Sequence, residues 1–308
     1  MVIENHMWRG RTLSIVIGTL LVFLVFMGGA VAGSTYAVEV SGNYAYTGQG
    51  TDFVILDISN KMSPAELGRL ETSGIILDIV LSGNYAYVAD LDNGLVIINV
   101  TNPAAPTLKG SYDTVGDSWG VAVAGNYAYV ADLDNGLVIV DVTNPAVPTF
   151  KGKYITGANS LGVAVAGNYA YVADGSNGLV VIDVSNPATL TLKGSYDTLG
   201  SSHGVVLAGN YAYVADSDNG LVIVDVSNPE APKLKGSYDT SGWSIGVAVK
   251  GNYAYVADEG NGLVIFRIDT SSPPPPVPEQ STIVLVSAGL LGMLLVLRRY
   301  TDWKRYIK

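Results

Sequence analysis

The pentapeptide Gly-Asn-Tyr-Ala-Tyr occurs six times, beginning at Gly42, Gly83, Gly125, Gly167, Gly209 and Gly251. The intervals are 41 residues once and 42 residues four times. Such a period constrains the fold more than any local motif does. Each copy must be one supersecondary unit that buries its apolar faces against its neighbours. Within the copy 120–161, four extended segments are legible: Val121–Ala124 (strand a), Tyr127–Ala131 (strand b), Leu137–Val142 (strand c) and Thr149–Tyr154 (strand d). Gly125-Asn126 is a Gly-first two-residue hairpin turn between a and b, an Asn-Gly turn leads into c, and an Asn-Pro loop leads into d. Four antiparallel strands in about 40 residues make one propeller blade. The expectation is an all-β, six-bladed β-propeller. The sixth copy stops after strand c at Leu263–Ile268, so its blade is expected to have three strands and the ring to close by packing of blade one on blade six.

The pattern of side chains agrees with sandwiched blades. Across the turn Ala124 pairs with Tyr127 and Ala122 with Tyr129, so Ala and Tyr share one face while Val121, Val123, Ala128 and Val130 share the other. Both faces are apolar, as a sheet covered on both sides requires. Loops of an antiparallel meander alternate between ends. The Gly-Asn (a–b) and Asn-Pro (c–d) loops therefore share one face of the disc, nearly constant among copies, and the b–c and d–a loops share the other, which varies. Asp57, Asp141, Asp183 and Asp225, one per blade at the end of strand c, are expected to hydrogen-bond from blade to blade. Lys109, Lys151, Lys193 and Lys235 on strand d and Arg267 on the last strand are expected to guard exposed edges.

Composition removes several kinds of chemistry. The chain has no Cys, which excludes disulfides and thiol nucleophiles, and only two His. Residues 33–272 hold 10 Lys and Arg against 24 Asp and Glu. A body that acidic repels phosphate backbones, so nucleic acid is not expected as a partner.

Both ends read as addresses. Arg9 and Arg11, the apolar run Leu13–Met27 and Ala30-Val31-Ala32 have the layout of a secretory signal peptide over residues 1–32. At the other end, the Pro-rich spacer 273–282 precedes an apolar segment, 283–297, expected to cross a membrane. The basic tail 298–308 is expected to stay cytoplasmic by the positive-inside rule. Pro278, Glu279, the apolar run and Arg298-Arg299 resemble the prokaryotic PEP-CTERM and PEF-CTERM sorting signals. That resemblance implies a sortase-like processing enzyme as a partner. Leu137–Asp141 and Leu221–Asp225 spell Leu-Val-Ile-Val-Asp, with variants at Phe53–Asp57, Leu95–Asn99, Leu179–Asp183 and Leu263–Arg267. Over about residues 35–270 the chain resembles the LVIVD-repeat proteins, which implies a cell-surface propeller of a bacterium or archaeon and assigns no catalytic residue.

Two sets of candidate site residues lie on the variable face. Tyr36, Leu77, Trp119, Leu161, His203 and Ile245 occupy one repeat position at the start of strand a, where they would ring a mouth of the central channel, with Trp243 and Asp117 beside them. Asp90 and Asp92, Asp132 and Asp134, and Asp216 and Asp218 form Asp-x-Asp-Asn-Gly loops that resemble half of a calcium site, although no Glu follows at the expected distance. Turn-stabilising Asp residues account for the same pattern without a metal. No cofactor is otherwise implied, and no paired catalytic groups are visible. The expected function is a surface-anchored interaction or adhesion module, not an enzyme, that binds an extracellular protein or glycan on the b–c/d–a face. Two alternatives are an extracellular hydrolase or lyase acting on polymers and an architectural envelope protein.

Overall fold

The computed structural model describes residues 35–268, together with the backbone of two short strands, Val16–Gly18 and Val284–Leu285. Apart from Val16–Gly18 the expected signal peptide lies outside the described residues, as do the sorting motif, spacer and basic tail. Six sheets follow one another along the chain, antiparallel except that Val16–Gly18 pairs in parallel with strand a of the first, Thr35–Ser41. Blade three is typical, with strands Gly120–Ala124, Tyr127–Ala131, Leu137–Asp141 and Thr149–Tyr154. Ala124 stands opposite Tyr127 and Ala122 opposite Tyr129, the register read from the Gly-Asn turn. Blade six has three full strands, Ser244–Lys250, Tyr253–Asp258 and Gly262–Arg267. Among the described residues beyond its third strand, Val284 and Leu285 pair with Ile265 and Val264.

The a–b turns need glycine. Their first residues have φ between 56° and 60°, as at Gly125 with 58°, and the Asn that follows has no positive φ. That is the type II′ geometry, whose hand matches the strand twist. The Asn contributes its backbone: the Asn126 carbonyl accepts the Val142 N–H at 2.9 Å, tying the start of the c–d loop to the turn. The strand-c carboxylates do not bridge blades. Asp141, Asp183 and Asp225 accept the N–H of Thr143, Ser185 and Ser227 at 3.0, 2.9 and 2.9 Å, and Asp57 accepts that of Ser59. An Asx turn two residues long satisfies these groups before any neighbouring blade is within reach.

The core is a series of inter-blade layers. Between blades three and four, Tyr129, Ala131, Leu137 and Ile139 face Val163, Ala170, Val172, Val180 and Ile182, all buried. Equivalent layers fill the other four sequential junctions. The closing junction is thinner. Val38 and Ala248 are its shared buried residues, with Val40 and Tyr255 packed against them. Leu263 and Ile265 are half-buried, whereas Leu221 and Ile223 one blade earlier are 0% and 6% exposed. Packing of blade one on blade six does close the ring, through a smaller contact than the other five.

Strand d carries a glycine that fits the next blade. A Cβ on Gly152 would lie 1.9 Å from the Pro187 carbonyl oxygen, and one on Gly110 would lie 2.3 Å from that of Pro145. Among the described residues Gly236 meets nothing closer than the Tyr238 ring at 4.0 Å, and the sequence of the sixth copy has no Asn-Pro at the place of the loop that covers the other strand-d glycines. Gly152→Ala should therefore destabilise the protein by about 2 kcal/mol through overpacking, whereas Gly236→Ala should be nearly neutral. Equilibrium denaturation of the two variants measures the difference, and equal losses would mean that the blades do not contact each other in this order.

Candidate functional site

The six ring residues share a backbone device. Leu77, Trp119, Leu161 and His203 donate their N–H groups to the carbonyls of Ala89, Ala131, Ala173 and Ala215 at 2.8 to 2.9 Å. Those alanines are already opposite Asp78, Gly120, Gly162 and Gly204 in register. Two residues of strand a therefore face one of strand b, which is a β-bulge. In blades one and six the register slips at the same place, at Tyr36 and Ile245. A bulge turns a side chain out of the alternating pattern. All six side chains are half-buried. Trp119 has a buried indole Nε1 with no hydrogen-bond partner among the described residues. His203 has its pKa lowered by burial, opposed by the charges of Asp216 and Glu259. Trp243, 57% exposed, stands on the loop that precedes Ile245.

Asp78 is a further residue of this set. It occupies the repeat position held by Gly120, Gly162, Gly204 and Gly246. Those glycines allow close approach: a Cβ on Gly162 would lie 2.5 Å from the His203 carbonyl oxygen. At the junction of blades two and three the Asp78 carboxylate reaches across instead and accepts the Val121 N–H at 2.9 Å. Its other oxygen accepts the N–H of Ile79 at 2.9 Å. Desolvation raises its pKa to about 6 despite these two donors. The repeat alignment shows one Asp against four Gly, a signal that was present in the sequence and is informative only once strand a is known to line the channel.

The same junction collects exposed acid. Asp117 has a raised pKa, first through desolvation and then through its hydrogen bond with Asp92, with Asp132 and Asp134 adding repulsion. An open cleft of about 230 Å³ adjoins it, lined in part by Ser73, Asp90, Asp92 and Asp113.

The Asp-x-Asp loops are divided in their duties. Asp90, Asp132 and Asp216 are fully buried, while Asp92, Asp134 and Asp218 are exposed. Asp132 accepts from Thr114 Oγ1 at 2.6 Å, Ser118 Oγ at 3.0 Å and Asn135 Nδ2 at 2.9 Å. Asp216 accepts from Thr198, Ser202 and Asn219 in the same way. Asp90 accepts from Thr72, Gly74 and Asn93. Burial raises the Asp90 pKa, and these donors oppose the rise. Between the two carboxylates of each pair stands a residue with positive φ, Leu91, Leu133 or Ser217. Among the described residues no group of three or more His, Cys, Asp or Glu is arranged to hold a metal. Hydroxyl and amide donors occupy the first carboxylate of each expected calcium pair, which leaves Asp92, Asp134 and Asp218 as the exposed members. Each network ties the d–a loop before a blade to the b–c loop within it.

Together, sequential four-stranded sheets, a central strand a and two chemically different loop faces define a six-bladed β-propeller. The LVIVD repeat model matches six consecutive segments, residues 32–72, 73–114, 115–156, 157–198, 199–240 and 241–279, and the chain belongs to that family. A comparison with curated proteins found no match. Solved propellers resemble it in fold. The β-propeller domain of Cps50 (Swd1) from Myceliophteria thermophila aligns with a TM-score of 0.66 at 15% identity, covering 78% of this chain and 84% of that one. The periplasmic gluconolactonase of Pseudomonas aeruginosa aligns at 0.67 and 14% identity over 80% and 83%. BamB from Moraxella catarrhalis aligns at 0.54 and 15% identity over 79% and 85%.

Two measurements test the site chemistry. Asp132→Ala leaves two hydroxyls and an amide without their acceptor and should cost about 3 kcal/mol, whereas a calcium chelator should leave the thermal midpoint of the wild type unchanged. A midpoint that falls on chelation would restore the metal reading. For Asp78 the folded pKa stands above the unfolded carboxylate value. Its stabilising contribution is therefore complete below about pH 4 and is lost as pH rises to about 6. Asp78→Asn should gain about 2 kcal/mol on the wild type across that window and nothing further above pH 7. Urea titrations at pH 4.5 and 7.5 measure this.

Proposed function

We propose that this protein is an interaction module of a prokaryotic cell envelope, displayed on the outside and anchored through its C-terminal apolar segment, whose variable face binds a protein or glycan ligand. One observation carries the reading. Six repeat-equivalent bulge positions hold Tyr36, Trp119 and His203 among three aliphatic residues, with an indole N–H that has no partner among the described residues, while the layers beneath them are almost identical from blade to blade. A purely structural ring would favour one small residue throughout, as the adjacent position does with Gly in four of the six blades.

The charge of the face narrows the ligand. Asp92, Asp117 and Asp134 at the blade two–three junction, with Asp113 and Asp218 on neighbouring loops, favour ammonium or guanidinium groups, and Trp119 and Trp243 offer stacking and cation–π surface. A basic protein segment or an amino-bearing glycan meets both requirements. The fold occurs among the similar structures in a gluconolactonase and in the β-propeller domain of Cps50 (Swd1), so the reading rests on this face and not on the fold.

Binding of the full chain to envelope proteins and amino-bearing glycans, followed by biolayer interferometry, tests the proposal. Trp119→Ala and His203→Ala should each weaken the ligand about tenfold with an unchanged thermal midpoint, and affinity should fall with salt. Gly125→Ala, on the opposite face, should lower the midpoint and spare binding. Loss of the ligand in Gly125→Ala at temperatures where that variant is folded, with retention in the Trp119 variant, would place the site on the wrong face. Turnover of a polymer without a stable complex would replace binding with catalysis.

A further inference from the structure

We propose that the constant face of the disc, formed by the Gly-Asn and Asn-Pro loops and the adjoining part of the rim, docks on an anionic lipid bilayer, so that the variable face is presented away from the membrane. The inference rests on the anchored, outward-facing reading above and adds an orientation and a second binding surface to it.

Charge is segregated between the two halves of the disc. Strands a and c run toward the constant face, and strands b and d run away from it. Within residues 35–268, eight of the ten Lys and Arg lie in the constant-face half: Lys61, Lys250, Arg267, Lys233 and the four strand-d lysines. Only six of the twenty-three Asp and Glu lie there, and four of these are the strand-c carboxylates of the Asx turns. The variable half holds the other seventeen acids and two bases, Arg69 and Lys153. Arg69 is paired with Asp52 and Glu66. The disc is therefore a dipole whose acidic side an anionic surface repels.

Apolar side chains accompany these bases. In blades two to five, strand d has a register slip that leaves Lys109, Lys151, Lys193 and Lys235 as extra residues. Next to each stands a large apolar residue in the open: Leu108 is 60% exposed, Phe150 53%, Leu192 53% and Leu234 52%. On the c–d loops Met62 is 76% and Val147 63% exposed. An edge that only had to resist strand addition would need the lysines and not the Leu and Phe. Bases beside exposed apolar side chains suit the boundary between headgroups and acyl chains.

The course of the chain favours the same side. Ile268, the last residue of the described propeller, leaves strand c of blade six at the constant face, bonded to the Asn252 carbonyl of the a–b turn at 2.7 Å. Residues 269–282 separate it from the apolar run, a reach of about 40 Å if extended. The beginning of that run, Val284–Leu285, lies against blade six.

The chain has no Cys, so a single introduced one can carry a unique label. Leu234→Cys on the constant side and Leu199→Cys on the variable side, each labelled with bimane in the full chain, are reconstituted in phosphatidylglycerol-containing vesicles with brominated lipid. Leu199 is itself 84% exposed, so neither substitution disturbs the core. The label at 234 should be quenched about fivefold more than the label at 199. The difference should shrink in phosphatidylcholine vesicles and when Lys109, Lys151, Lys193 and Lys235 are all changed to Glu. Equal quenching at both positions, or stronger quenching at 199, overturns the orientation. Flotation separates the two ideas: protein that does not float with vesicles refutes the anchor and the docking together, whereas floating protein with an unquenched 234 label refutes the docking alone.

Discussion

Face-to-face burial of apolar sheets between consecutive blades is the interaction on which everything else in this protein depends. No blade can stand alone, since a four-stranded sheet apolar on both sides would expose Val, Ile and Tyr to water on each. Each sequential junction closes that deficit with a layer such as Tyr129, Leu137 and Ile139 against Val163, Val172 and Ile182. Because both partners of every layer come from the same repeat, one solution serves five junctions. Strand-d glycines such as Gly152 let the next Asn-Pro loop sit close enough for the layer to stay dry.

Polar order is laid over that apolar frame. A buried Asp in blades two to six accepts hydroxyl or amide donors from the preceding d–a loop and from its own b–c loop, which locks the variable-face loops to the core. A buried carboxylate is tolerated only when its lone pairs are filled, and here they are. The consequence is functional: rigid loops can hold unlike residues at equal positions, so Trp119 and His203 vary on a scaffold that does not.

The two faces differ because their loops face different demands. On the constant face, Gly φ and Asx-turn requirements leave little freedom, and variation moves outward to the rim, where lysines sit on bulges beside exposed Leu and Phe. On the variable face, the bulge at the start of strand a releases one residue per blade from the ladder. Tyr46 is packed, whereas Tyr36 is available. Asp78 shows how one departure from the repeat changes a junction, replacing glycine contact with a hydrogen bond across it and a carboxyl that titrates near neutrality.

Sequence periodicity alone determined the number of blades, the strands within each, the Ala–Tyr register and the missing strand of the sixth copy, because a fixed period and two-sided apolar strands admit one kind of assembly. It also identified the ring positions from Tyr36 to Ile245 by alignment of the copies. Their release from the ladder was not legible, because a bulge is a one-residue excess in pairing and the chain shows no pairing partners. The Asp-x-Asp loops illustrate the other limit. Spacing suggested a metal, but the donors that occupy Asp132 come from Thr114 and Ser118, fourteen and more residues away, brought there only by the closing of one blade on the loop before it. Which carboxylates are buried and which junction is thin are properties of that closed ring, and tertiary contact alone decided them.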